Sequence, residues 1–176
     1  MSHSPTRRRA LQRLASAPLW PLLPIFPVVL SGCGFALSRA PALPFERIAL
    51  QGFAPRSLLA EELTRHLNAS ARVVLPSQQP DVVLHALQDK RDKRMSAVSA
   101  AGQVREVQLS VVFEFRLATP GGKELLARNG VGATRDMSFT ETIALAKELE
   151  QEQLYATLQS EVVMQVLRRL AKAPKA

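Results

Sequence analysis

Between Val104 and Ala118 the chain alternates with a period of two for the length of a long strand. Val107, Leu109, Val111, Phe113, Phe115 and Leu117 stand on one side, and Glu106, Gln108, Ser110, Val112, Glu114 and Arg116 stand on the other. Such a pattern belongs to a strand with one face on a core and one in water. Thr119-Pro120-Gly121-Gly122 is a turn by composition, so Glu124 to Thr134 reads as the returning antiparallel strand of a hairpin. A sheet with one dry face needs a cover.

The cover is read from the helical periods. Leu154, Leu158, Val162, Val166 and Leu170 recur every four residues, with Tyr155, Val163 and Leu167 widening the stripe. This helix starts between Thr140 and Lys147 and ends near Leu170; Ser138 and Glu141 have capping-box spacing, which favours the earlier start. A shorter helix is predicted from Pro55 to Leu67, with Leu59, Leu63 and Leu67 on one stripe, Leu58 beside it, and Glu61, Glu62 and Arg65 facing away. Arg47–Leu50 and Arg72–Leu75 are short strand candidates, and from Asp81 a period of two puts Val82, Leu84 and Ala86 on one face. Lys90–Gly102 reads as a long hairpin tip that extends both neighbouring strands. The order is that of an α+β fold, a two-layer sandwich with two helices on one face of a mixed sheet of about four strands.

The first residues have a different organisation. Arg7, Arg8, Arg9 and Arg13 precede an apolar stretch from Leu14 to Leu30 that no acidic residue interrupts, the layout of a secretory signal. A membrane-spanning helix is the competing reading, and Pro18, Pro21, Pro24 and Pro27 argue against it by removing helix donors and crowding the preceding turns. Leu30-Ser31-Gly32-Cys33 resembles the bacterial lipobox, and Cys33 is the only cysteine of the chain. That resemblance implies removal of residues 1–32, a diacylglycerol thioether and an N-acyl chain on Cys33, and a lipid anchor that holds the protein to a leaflet without spanning it. Gly34, where Asp would retain the protein in the inner membrane, implies sorting to the outer membrane. Thr6-Arg7-Arg8-Arg9-Ala10-Leu11 also loosely resembles a twin-arginine signal, so the export route stays open. Residues 33–45, with Pro41 and Pro44, form a lipidated extended tether, 46–170 a single domain, and 171–176 a flexible tail.

Cleavage also changes the charge. It removes four of 23 basic residues and none of 15 acidic ones, so the formal balance falls from +8 to +4. A nucleic-acid reading built on the charge of the precursor loses its support, and aromatic residues for base stacking are scarce. An enzyme needs convergent reactive groups, and after cleavage only His66 and His85 remain, without a second cysteine. No zinc-ligand spacing or phosphate-cradling glycine loop occurs. The reading is a non-enzyme with no metal and no cofactor beyond the acyl groups of Cys33. Lys90, Arg91, Lys93 and Arg94, with Arg105 on the facing strand, form either a positive patch for phosphate groups or a solvated hairpin with Asp89 and Asp92 as internal partners.

Further matches bring a family into view. Cys33-Gly34-Phe35-Ala36-Leu37, Gly102-Gln103 before the long alternating strand, Ala144-Leu145-Ala146-Lys147 leading into the last helix, and Leu167-Arg168-Arg169-Leu170 at its end resemble LptE, the lipopolysaccharide-assembly lipoprotein of Gram-negative outer membranes. Ser38 stands where that family often has arginine. The resemblance implies a plug inside the β-barrel LptD that assists barrel assembly and helps deliver lipopolysaccharide to the outer leaflet. It also implies lipopolysaccharide contact through basic residues and carries that role onto Lys147. At the strand tip the position before Gly-Gln is not basic, being Ala100-Ala101, so the role implied there either falls to Arg94 or Arg105, with Arg91 a further candidate, or is absent. The implied partners are LptD, lipopolysaccharide and the inner leaflet of the outer membrane. The rival reading is a scaffold or pilot lipoprotein of another envelope machine.

Overall fold

The computed structural model describes residues 42–138 and 144–175, with backbone alone for 144 and 145. Cys33, most of the tether and Glu141 of the capping pair lie outside the described residues. The elements are β1 (Arg47–Gln51), α1 (Leu58–Leu67), β2 (Arg72–Val73), β3 (Val82–Val98), β4 (Val104–Ala118), β5 (Glu124–Ser138) and α2 (Ala144–Leu170), with a short 3-10 turn at Pro76–Gln78. The strands make one mixed sheet in the order β2-β1-β3-β4-β5. β1 runs parallel to both neighbours, while β3, β4 and β5 form an antiparallel meander. Both helices lie on the same face. The α+β two-layer architecture is the expected one, with a fifth strand because Arg72–Val73 pairs on the outer edge of β1.

The alternation in β4 sets the core. Val107, Leu109, Val111, Phe113, Phe115 and Leu117 are all buried, and they meet Leu158, Val162, Val163, Val166, Leu167 and Leu170 of α2 and Leu59, Leu63 and Leu67 of α1. Phe113 is stacked between Phe53 and Phe115, each pair with ring centroids 5.5 Å apart. The opposite face carries polar cross-strand pairs such as Gln108 with Asp136 and Glu114 with Arg128, and no described element covers it.

Several local outcomes differ from the expectation. α1 begins three residues later than Pro55, because Arg56 takes a left-handed φ of 61° and Ser57 caps the helix, its Oγ accepting from the Ala60 amide at 3.1 Å. Gly52 is required where β1 ends: its φ is 82°, and a Cβ there would stand 2.4 Å from the Ala86 carbonyl oxygen. β5 continues four residues past Thr134, to Ser138. Beyond Leu170 the Ala171, Lys172 and Ala173 amides still donate to helix carbonyls, and Ala173 packs on the core.

Glu62 corrects the reading of α1. It does not face away; it is buried between the helices, where its carboxylate accepts from Gln159 Nε2 and Ser160 Oγ, both at 2.6 Å. Gln159 Nε2 also donates to the Leu58 carbonyl. A charged side chain tolerates burial when its lone pairs are filled in this way.

The start of the domain is fastened by Asp81. Its Oδ2 accepts from the amides of Glu46 and Arg47 at 3.1 and 2.8 Å, and its Oδ1 accepts from Arg47 Nε and Nη2 at 3.3 and 3.0 Å. Burial pushes the Asp81 carboxyl up, but these bonds outweigh it and hold the group below the usual aspartate value of 3.8. A lowered acid pKa means that the unfolded chain binds the proton first, so this stabilisation is present above pH 3.8 and is lost as pH falls through the folded value. Asp81→Ala should therefore lower the unfolding free energy by about 1–3 kcal/mol in urea titrations at neutral pH. The difference from the parent should shrink in acid.

Candidate functional site

The cationic segment of β3 is divided by a β-bulge. Ala86 pairs with Phe115 and Gln88 with Glu114, which leaves Leu87 as an extra residue. Before it, Val82 and Leu84 point into the core; after it, the odd-numbered residues take that side, as Arg91 pairs with Val111 and Lys93 with Leu109. Lys90, Asp92 and Arg94 pair with Val112, Ser110 and Gln108 and lie on the uncovered face.

On the helix side Arg91 is built into the fold. Its Nη2 donates to Gln159 Oε1 at 2.5 Å, and its guanidinium lies 5.4 Å from the Tyr155 ring centroid. Gln159 in turn holds Glu62, so β3, α2 and α1 share one hydrogen-bonded chain. Tyr155 fastens the same place from its hydroxyl, which donates to the Asp92 carbonyl at 2.9 Å. Burial raises the Tyr155 pKa above its usual value of 10.0, partly opposed by Arg91. Lys93 Nζ donates to Gln151 Oε1 at 2.6 Å. The sequence reading gives Tyr155 only a packing role and turns Glu62 to solvent, and it does not name Gln159, although a tyrosine within an apolar helical stripe signals a hydroxyl in need of a partner.

On the uncovered side Asp92 sits between two cations, 2.8 Å from Arg94 Nε and 3.7 Å from Lys90 Nζ. The hydrogen bond from Arg94 lowers the Asp92 pKa from its usual 3.8. Arg105 is exposed at a break in the β3–β4 register, and no ion pair engages it among the described residues. Lys147, in the first turns of α2, donates to Ser138 Oγ at 3.3 Å and to Glu150 Oε2 at 2.7 Å, with 11% of its side chain exposed. Ser138 pairs with Glu106, the neighbour of Arg105, and Arg94 pairs with Gln108. Lys147, Arg105 and Arg94 therefore belong to the same end of the sheet, while nothing joins them directly: Lys147 and Arg94 each hold a carboxylate of their own. Arg91 lies farther in, with its own partners.

The two histidines are apart. His66 Nε2 lies 4.0 Å from Glu62 on α1, and His85 lies in a cleft of about 250 Å³ with Arg116, Pro80 and Pro120 at the other end of the sheet. Burial and then the charge of Arg116 lower the His85 pKa from 6.5. Among the described residues no three His, Cys, Asp or Glu side chains group to hold a metal ion. No described helix is long and apolar enough to cross a membrane.

The two kinds of arginine should separate by stability. Arg91→Ala leaves the Gln159 carbonyl without its donor and uncovers the Tyr155 ring, and should cost about 1–3 kcal/mol of unfolding free energy. Arg94→Ala removes an exposed pair and should change it by less than about 1 kcal/mol, read in the same denaturant titration.

Comparisons with known proteins fit this geometry. The LptE family model, described as lipopolysaccharide-assembly, matches residues 45–170, the whole two-layer domain. The solution structure of the uncharacterized lipoprotein B of Nitrosomonas europaea is similar at 31% identity, covering 78% of this chain and 90% of that one, with a TM-score of 0.66. The rare lipoprotein B of Shewanella oneidensis (21% identity, 72% and 94% coverage, TM-score 0.62) and a minor lipoprotein of Acinetobacter baumannii (17%, 75% and 96%, TM-score 0.63) share the fold. No curated protein matches the sequence. The chain belongs to the LptE family of lipopolysaccharide-assembly lipoproteins.

Proposed function

We propose that this protein is a lipoprotein of the outer membrane, anchored through acyl groups on Cys33, that fills the lumen of the LptD β-barrel, assists its assembly and helps pass lipopolysaccharide to the outer leaflet. The family match over the whole domain carries the reading. Its role is to bind and guide rather than to catalyse. The uncovered sheet face, polar along β4 and β5, is chemically suited to the polar interior of a membrane barrel. The lipid holds the domain at the inner leaflet, and the domain supplies the specificity.

Lipopolysaccharide presents phosphate groups, which favour charge-assisted hydrogen bonds from clustered cations. Lys147, Arg94 and Arg105 at one end of the sheet are the groups assigned to it. Lys147 and Arg94 would exchange their present carboxylate partners, Glu150 and Asp92, for phosphate. Arg91 contributes by holding the strand that carries them, through Gln159 and Tyr155.

Extraction in mild detergent should bring down a large barrel protein in stoichiometric amount; its absence would favour a scaffold role in another envelope machine. Lys147→Glu should weaken lipopolysaccharide binding about tenfold or more, the loss of one charge-assisted bond, while Lys172→Glu at the other end of α2 should leave it nearly unchanged. Equal affinities of the two variants in a direct binding assay would remove Lys147 from the site.

A further inference from the structure

At the end of the sheet that holds His85, three side chains able to donate hydrogen bonds stand in one row. Arg116 lies directly across from His85 in the β3–β4 ladder, and Gln51 lies across from His85 in the parallel β1–β3 pair. The neighbouring pair, Leu84 with Leu117, is buried in the core, so the row is on the face away from the helices. Here two loops rise beside that face. Pro76 and Pro80 ahead of β3, and Thr119, Pro120 and Gly122 after β4, complete a cleft of about 250 Å³ whose buried lining is Val83 and Ala118.

The donors of this row have no acceptor. Among the described residues no hydrogen bond or ion pair engages the side chains of Gln51, His85 or Arg116. Arginines elsewhere are answered: Arg47 by Asp81, Arg94 by Asp92, Arg128 by Glu114 and Arg135 by Glu161. Glu114 stands two residues before Arg116 on the same face and is already taken by Arg128. No carboxylate lines the cleft, and Lys123 and Glu124 of the adjoining turn and strand do not line it either. The field inside is therefore positive, and it is what lowers the His85 pKa after burial.

The lining also selects among anions. Phosphate sites are commonly built from converging backbone N–H groups, and three of the ten lining residues are prolines, which have none. The Thr119 and Gly122 amides are spent within the turn, on the Lys123 and Thr119 carbonyls. Recognition is left to side chains: one permanent cation with a planar fork, one imidazole and one amide. A planar carboxylate of single charge matches that set. The volume is below the roughly 300–1,000 Å³ of pockets that enclose whole ligands, so it admits one small group.

We propose that the Gln51–His85–Arg116 cleft is a carboxylate-binding site, in which the Arg116 guanidinium pairs with the anion while the His85 ring N–H and the Gln51 amide donate to its oxygens. The site is at the opposite end of the sheet from Arg94, Arg105 and Lys147 and does not depend on the lipopolysaccharide reading. Its ligand is a free small carboxylate or an acidic side chain presented by a protein.

The chain has three histidines, His3, His66 and His85, so imidazole signals can be followed singly by NMR in the full-length protein in neutral detergent, with His85→Gln to assign the site and His66 as reference. Titrations are run at fixed ionic strength in chloride, in acetate, with a blocked glutamyl peptide, and in inorganic phosphate. A bound anion favours the imidazolium, so acetate or the peptide should raise the His85 pKa by about one unit relative to chloride and leave His66 in place. Arg116→Gln, a change at an exposed position, should keep the melting temperature and lose the response; Arg116→Lys, which keeps the charge without the fork, should weaken acetate binding several-fold. A response to acetate alone assigns a free carboxylate, and tighter binding of the peptide assigns a protein side chain; either supports the site. The proposal is overturned if His85 responds to neither, if His66 moves equally, if Arg116→Gln responds like the parent, or if phosphate binds more tightly than both carboxylates.

Discussion

The row of alternate apolar side chains on β4 is the constraint on which the rest of the fold depends. β4 has a partner strand on both sides, and its dry face is the floor on which α2 rests. Phe113 and Phe115 carry much of this. Truncating a buried phenylalanine to alanine typically costs about 3–5 kcal/mol, against a net stability of about 5–15 kcal/mol for a whole domain. A single lesion in this row can therefore take a large share of what holds the protein folded, whereas changes in the exposed ion pairs of the other face are worth at most about 1 kcal/mol each. The energetic asymmetry lets one face be rigid while the other remains available for contact.

Where periodicity and burial agree, the fold was legible in the sequence. β4 was bounded correctly by its alternation and by Thr119-Pro120-Gly121-Gly122, and the four-residue repeat of α2 identified its buried side. The Arg72–Leu75 candidate forms the outer edge of the sheet over Arg72–Val73 alone, too short to carry a period that would mark its ends. Backbone conformation at Arg56 and capping by Ser57 fixed the start of α1, and proline at 55 alone did not distinguish a first helical turn from a turn before the helix.

The candidate site was legible as composition but not as geometry. Lys90, Arg91, Lys93 and Arg94 form one basic run in the sequence, and the structure sends them to opposite faces. Glu62 looked like a solvent-facing helix residue because nothing local reveals that Gln159 and Ser160, almost a hundred positions later, fill its lone pairs. The family likeness was carried by short matches spread along the chain, each weak alone, and by the order of elements that connects them.

The extra residue at Leu87 has an evolutionary consequence. From Gln88 to Met95 the residues of β3 are placed by counting, so the face on which each of its four cations stands is governed by one position rather than by the identity of the cations. A lineage that lost this residue would exchange the two sets at a stroke, sending Lys90 and Arg94 under the helix and Arg91 and Lys93 to the open side, with no basic residue gained or lost. Relatives whose basic runs look alike can therefore present different charges to the same partner.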